Sequence, residues 1–313
     1  MPEYRAVRSK KGFLELCKTP SLAAEVTVTA ANRLGVDAAI IFADILLILE
    51  PLGIDLEFSV GEGPVIRNPV RTRADIERLL ELDDVTALEF VLAAIRQTRA
   101  ALAGHVPLIG FSGAPFTLAS YLIEGGSSRN YQRTKLLMFN DPGAWHQLMS
   151  LIARATVKYL NAQVEAGAQA IQLFDSWVGC LGPTDYQEFV LPHSQAIIQS
   201  ITPGTPVIHF GTGTAALLEL MRAAGGDVIG LDWRVQLDNA WKRIGYDVGV
   251  MGNLDPVALL AGKDQLRIRA RQILSQAESR PGHIFNLGHG VLPETPVENA
   301  IALVEMVHEL SSR

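Results

Sequence analysis

Short apolar runs rich in β-branched residues recur along the chain, each ending in a small or polar residue. They are Asp37-Ala-Ala-Ile-Ile-Phe42, Val106-Pro-Leu-Ile-Gly-Phe111, Ala170-Ile-Gln-Leu-Phe174, Pro206-Val-Ile-His-Phe210, Asp227-Val-Ile-Gly-Leu231, Asp247-Val-Gly-Val-Met-Gly252 and His283-Ile-Phe-Asn-Leu287. Nearly continuous apolarity, rather than strict alternation, marks strands covered on both faces of a parallel sheet. Helix punctuation lies between them. Ser21 to Leu34 reads as a helix closed by Gly35, Asp141-Pro142 and Asp255-Pro256 pair an N-cap acceptor with a first-turn proline, and Thr295-Pro-Val-Glu298 reads as a capping box. Glu57 to Arg67, with Gly61-Glu-Gly63-Pro64 inside, reads as a hairpin insertion.

Repeated strand–helix units predict a (β/α)8 TIM-type barrel rather than a doubly wound sheet. The latter would favour a glycine-rich phosphate loop after its first strand, and Phe42-Ala-Asp-Ile-Leu-Leu47 contains no glycine. Seven strands are legible, one fewer than a closed barrel needs. No low-complexity linker or charge shift divides the chain, so residues 1–313 are read as a single barrel domain.

Composition narrows the function. A net charge of −6 argues against a nucleic-acid binder or a basic membrane-surface protein. The longest apolar stretch, Ala38 to Leu49, is interrupted by Asp44 and is too short to span a membrane. Met1-Pro-Glu-Tyr-Arg5 has no apolar signal region, so a cytoplasmic location is expected. Two cysteines, Cys17 and Cys180, supply neither a disulfide framework nor a four-thiolate metal site.

In a barrel of this kind chemistry gathers where the strands end. The candidates there are Asp44, Ser112, Asp175, Ser176, His209, Thr212, Asp232, Asn253, Asp255 and His289. Several have structural readings: Asp255 as a helix cap, Asp232 as a cap or loop holder, His209 as a core histidine. Asp44 stands between Ile40-Ile-Phe-Ala43 and Ile45-Leu-Leu47. A carboxylate in such surroundings must meet donors, either from a helix terminus or from a ligand. The glycines around His289 in Asn286-Leu-Gly-His-Gly290 suit close ligand approach or a turn.

Together these segments resemble the uroporphyrinogen decarboxylase family. The resemblance is carried by Pro2-Glu-Tyr-Arg5, Asp37 to Ile45, Gly61-Glu-Gly-Pro64, Pro107 to Leu118, Tyr121-Leu-Ile-Glu-Gly-Gly-Ser127, Gly167 to Ser176, Gly230-Leu-Asp-Trp233, Gly252-Asn-Leu-Asp-Pro256 and Asn286 to Gly290. It implies a (β/α)8 barrel, usually a homodimer, that uses no metal or organic cofactor. The implied reaction removes the four acetate carboxyl groups of uroporphyrinogen III in haem biosynthesis, giving coproporphyrinogen III and carbon dioxide. Asp44 matches the aspartate that binds the pyrrole N–H groups. Tyr121, Ser176 and His289 match residues that contact carboxylate side chains or line the cleft, and Ile40 and Phe42 match apolar contacts beneath the macrocycle.

Two departures from the family pattern set further expectations. A segment Arg-Gln-Ala-Gly-Arg-Tyr, which ends the first strand and brings two arginines to the family's site, would lie before Pro2; Met1 stands at its last position. The chain is therefore expected to lack the first strand, which leaves a non-catalytic barrel with weak tetrapyrrole binding as an alternative. His209-Phe-Gly-Thr-Gly213 also departs from the usual loop. A second rival, the zinc- and cobalamin-linked methyltransferases of the same superfamily, needs a His-x-Cys pair, and Gly211 stands where that cysteine would be. The expected metal content is none.

Overall fold

A computed structural model describes residues 1–59 and 63–311. Its strands are β1 (Ala39–Ile40), β2 (Leu56–Ser59), β3 (Gly63–Ile66), β4 (Leu108–Gly113), β5 (Ala170–Asp175), β6 (Val207–Gly211), β7 (Val228–Gly230), β8 (Gly249–Leu254) and β9 (His283–Leu287). Seven of them form one sheet in the order β1-β4-β5-β6-β7-β8-β9, every pair parallel. β2 and β3 form the separate antiparallel hairpin, joined through Arg67 and Glu57 at its base. The Gly61-Glu62 part of that motif lies outside the described residues.

All seven apolar runs contain a strand, but the first is cut to Ala39–Ile40. Among the described residues β1 pairs with β4 alone. Asp37 instead accepts from the ring of His308 at 3.0 Å. The helix Pro20–Leu34 ends at Gly35 in the left-handed conformation, and Asp141 caps the helix Pro142–Glu165 by accepting from the Ala144 N–H. The capping box at Thr295 is a correction. Its hydroxyl is buried without a partner among the described residues, and the helix begins at Val297.

Side chains alternate between the helix layer and the interior. A Cβ on Gly110 would press on Gln163 of the helix Pro142–Glu165, so Gly110 and Ser112 face the helices and Phe111 faces inward. Phe111, Phe174 and Phe210 form a row of edge-to-face rings across β4, β5 and β6, with centroids 5.5 and 5.9 Å apart. Gly230 gives Phe210 its room, since a Cβ there would lie 2.8 Å from the ring.

The sheet curls until its two edges approach one another. The His308–Asp37 contact ties the last helix to the start of β1. The helix Pro2–Arg8 crosses the gap at the strand-end face: Tyr4 packs on Phe42 beyond β1 at 5.7 Å, and Arg5 donates to the Pro293 carbonyl beyond β9 at 3.1 Å. Among the described residues no strand joins β1 to β9. Ile40 and Ile284, on those two edge strands, are consequently 41% and 44% exposed.

Candidate active site

The segments after the strands converge on the carboxyl-end face. Asp44 lies there, half-buried in the turn after β1. The Leu46 N–H donates to its Oδ1 at 2.8 Å, while no described residue donates to Oδ2. This single turn contact satisfies part of the carboxylate; the rest faces a poorly solvated site. Burial pushes the Asp44 carboxyl up to about 6, and the Leu46 N–H only partly opposes that. Its field reaches Tyr121 and the buried Cys17 and Tyr159, all raised above their ordinary values mainly by burial and further by Asp44.

Phe42, matched to an apolar contact, is wedged between Tyr4 and the ring of Phe13, 6.0 Å away. Its N–H is held by the Thr27 hydroxyl at 2.9 Å, which fixes the path of the chain into Asp44. Tyr121 belongs to the helix Pro115–Glu124 after β4, and its ring meets Trp177 edge-on at 6.0 Å. Ser176 and Trp177 follow β5 directly. Tyr121 thus meets the loop after β5 through Trp177 and lies within reach of the Asp44 charge.

Asp175 points the other way. It is fully buried towards the helix layer, where the Thr117 hydroxyl donates to Oδ1 at 2.9 Å and Oδ2 has no partner among the described residues. Burial pushes its carboxyl up to about 7. Thr117 also accepts from the Trp177 N–H at 3.3 Å, so Asp175 holds the β5 loop against the helix that carries Tyr121. Ser112 is buried on the same side.

His209 also faces away from the mouth. Its ring is buried against Met221 and Gly225, and burial holds it down at about 4, hence neutral. The loop His209–Gly213 is pinned between neighbours. Gly179 of the β5 loop approaches so closely that a Cβ would lie 2.2 Å from the Thr212 carbonyl, and the Gly213 N–H donates to Asp232 at 2.7 Å. Asp232 is therefore the loop holder, Asn253 donates to the Asp232 and Val235 carbonyls, and Asp255 caps the turn at Pro256 by accepting from the Val257 N–H. Thr212 keeps a buried hydroxyl without a partner among the described residues.

His289 is exposed after β9, its ring edge-on to Trp233 at 6.3 Å. The preceding glycine serves packing: a Cβ on Gly288 would lie 2.5 Å from the Trp233 nitrogen. Gly290 faces open space. Arg234, absent from the sequence candidates, lies over Trp233 with its guanidinium carbon 4.0 Å from the ring centroid. The available signal was its place two residues after a strand-end aspartate. Among the described residues no group of three or more His, Cys, Asp or Glu is placed to hold a metal ion.

Comparison with known proteins decides between the readings of this mouth. The profile of the uroporphyrinogen decarboxylase family matches residues 1–310. The chain belongs to this family. It is 59% identical to the uroporphyrinogen decarboxylase of Carboxydothermus hydrogenoformans over all of this chain and 89% of that protein. It is 57% identical to that of Sorangium cellulosum over 99% of this chain and 89% of that protein. Among solved structures, a methyltransferase from Methanosarcina mazei superposes with a TM-score of 0.79 at 20% identity, covering 95% of this chain and 88% of that one. A putative vitamin-B12-independent methionine synthase from Listeria monocytogenes superposes at 0.64 and 14% identity, covering all of this chain and 95% of that one. These likenesses establish a shared fold. The uroporphyrinogen decarboxylase family accounts for the motifs at the strand ends, whereas the methyltransferase reading would need His209 in the mouth.

Proposed function

We propose that the chain is a carboxy-lyase that converts uroporphyrinogen III to coproporphyrinogen III by removing its four acetate carboxyl groups, with Asp44 at the centre of the site. The observation that carries the assignment is the Asp44 carboxylate: half-buried, oriented by one N–H and open on Oδ2. Pyrrole N–H groups of a tetrapyrrole seated at the mouth supply the missing donors. Tyr121, Ser176 and His289 contact side-chain carboxylates around the rim. Ile40 and Phe42 pack under the rings.

Breaking the acetate C–CO2 bond leaves an electron pair that the neutral pyrrole cannot accept. Protonation of the ring carbon first makes an electron-poor ring, which takes up the pair as carbon dioxide departs. A proton then adds to the former acetate CH2 to give a methyl group, and loss of the ring proton restores the pyrrole. The net change per side chain replaces a carboxylate by hydrogen and releases one carbon dioxide. The cationic ring is the species that a fixed carboxylate stabilises, and in a dry site such an interaction is typically the largest catalytic contribution. Asp44 serves by charge and position; no metal or organic cofactor enters these steps.

No helix among the described residues is long and apolar enough to cross a membrane. We take the enzyme to work in the cytoplasm as a homodimer, on the strength of the family resemblance; light scattering of the purified protein checks the dimer. The activity itself is tested by incubating the protein with chemically reduced uroporphyrin under anaerobic conditions, then oxidising and separating the porphyrins. Stepwise loss of four carboxyl groups is expected. Unchanged octacarboxylic porphyrin in the presence of folded protein would overturn the assignment.

A further inference from the structure

A substrate with eight carboxylates approaches a protein of net charge −6, so binding requires local positive charge where the rim meets the side chains. The segments directly following the parallel strands are 41–46, 114, 176–182, 212–217, 231–236, 255–262 and 288–296. Arg234 is their one lysine or arginine. We propose that Arg234 binds a substrate side-chain carboxylate that is retained in the product, acting as a specificity-determining residue on the His289 side of the mouth. The proposal rests on the decarboxylase reading above and deepens it.

Several contacts hold this arginine in place. Asp232, 2% exposed, accepts from the Arg234 backbone N–H at 3.0 Å through Oδ1 and from Nη1 at 2.5 Å through Oδ2. The guanidinium carbon lies over Trp233, 4.0 Å from its ring centroid. Trp233 is itself fixed by the close approach of Gly288 and by the His289 ring. His289, Trp233 and Arg234 therefore form one preorganised edge, which lowers the ordering cost of binding an anion there.

The guanidinium is not consumed by this scaffold. It has five N–H donors, of which Asp232 takes one, and the side chain is 48% exposed. Asp232 already has two backbone donors, from Gly213 and Arg234 itself. Neutralising Asp232 does not explain why the remaining donors are displayed at the rim beside His289. A carboxylate meets that fork in a paired geometry that an ammonium cannot reproduce.

The reaction restricts which carboxylate Arg234 can hold with benefit. A clamp on a departing acetate stabilises the ground state and opposes formation of neutral carbon dioxide. A clamp on a propionate, present in substrate, transition state and product alike, strengthens all three equally. Such uniform binding appears in KM and leaves kcat unchanged. Coproporphyrinogen retains the propionates, so its product inhibition reads the same contact.

The test compares wild type, Arg234→Gln and Arg234→Lys in steady-state turnover of uroporphyrinogen III, with coproporphyrinogen III as inhibitor and a thermal melt of each protein. Arg234→Gln is expected to raise KM about tenfold or more and the inhibition constant by the same factor, as ordinary for a lost charge-assisted pair. Its kcat should stay within about twofold. Arg234→Lys, which keeps the charge and loses the fork, should fall between; it also carries the test if Arg234→Gln does not fold. Unchanged KM and inhibition constant in a folded variant overturn the proposal, as does a fall in kcat at constant KM. Wild-type protein that does not turn over uroporphyrinogen defeats the decarboxylase reading instead. Arg234 is then tested by titrating uroporphyrin against tryptophan fluorescence. Weaker binding by Arg234→Gln supports the contact, and equal binding overturns it.

Discussion

Replacing Asp44 with asparagine is expected to make the protein more stable and far less active. Asparagine preserves shape and can still accept from the Leu46 N–H, so the turn after β1 survives. The buried charge does not. The carboxyl of folded Asp44 is raised by burial from the ordinary 3.8 to about 6. Between those values the native state holds a proton that the unfolded chain has released. Stability therefore falls as pH rises from about 4 to about 6, and the penalty is complete above that range. At ~1.36 kcal/mol per pH unit, the penalty is about 3 kcal/mol at pH 8.

Urea denaturation of wild type and Asp44→Asn at pH 4, 5 and 8 measures this directly. The stability advantage of Asp44→Asn should be small at pH 4, larger at pH 5 and greatest at pH 8. In the activity assay, the same substitution should lower kcat by ~10²-fold or more, the scale of losing one preorganised electrostatic group. The wild-type kcat/KM should decline below pH 6, because that quantity follows ionisation of the free enzyme. Near-normal turnover by Asp44→Asn would refute its role under the pyrroles. A variant no more stable than wild type at pH 8 would refute the claim that its charge is held at a cost to folding.

Two further outcomes follow from the same geometry. Gly288→Ala should destabilise by about 1–3 kcal/mol, since its Cβ would lie 2.5 Å from the Trp233 backbone nitrogen, and unfolding by urea measures the loss. Elemental analysis after dialysis should find well below one zinc per chain, because His209 faces the helix layer and Gly211 offers no ligand.

Much of the fold was legible because parallel strands covered on both faces must be apolar throughout, and all seven such runs contain a strand. Boundaries were less legible at the first run. Its length depends on how many neighbours β1 has, and edge position is a tertiary property absent from Asp37 to Phe42 taken alone. Thr295 failed as a capping box for a similar reason: the tetrapeptide permits the reciprocal bonds, but the geometry buries the hydroxyl without making them.

The site was legible only to the resolution of strand ends. Two periodicities operate there: adjacency to the end of a strand, which sequence reveals, and the inward or outward sense of each residue, which depends on strand register. Asp44 and Asp175 both follow apolar runs and both have raised carboxyl values. Yet Asp175 points to Thr117 in the helix layer, while Asp44 has passed beyond the last β1 residue and lies in the turn at the mouth. A raised carboxyl therefore does not distinguish a ligand-binding group from a buried fastening; the free oxygen's accessibility does. Arg234 shows the converse. In the sequence, Arg234 two residues after Asp232 looks no different from one half of a local ion pair. The fold changes that reading by fixing the arginine against an aromatic ring already in contact with His289, so that donors Asp232 does not take are held out beside the mouth.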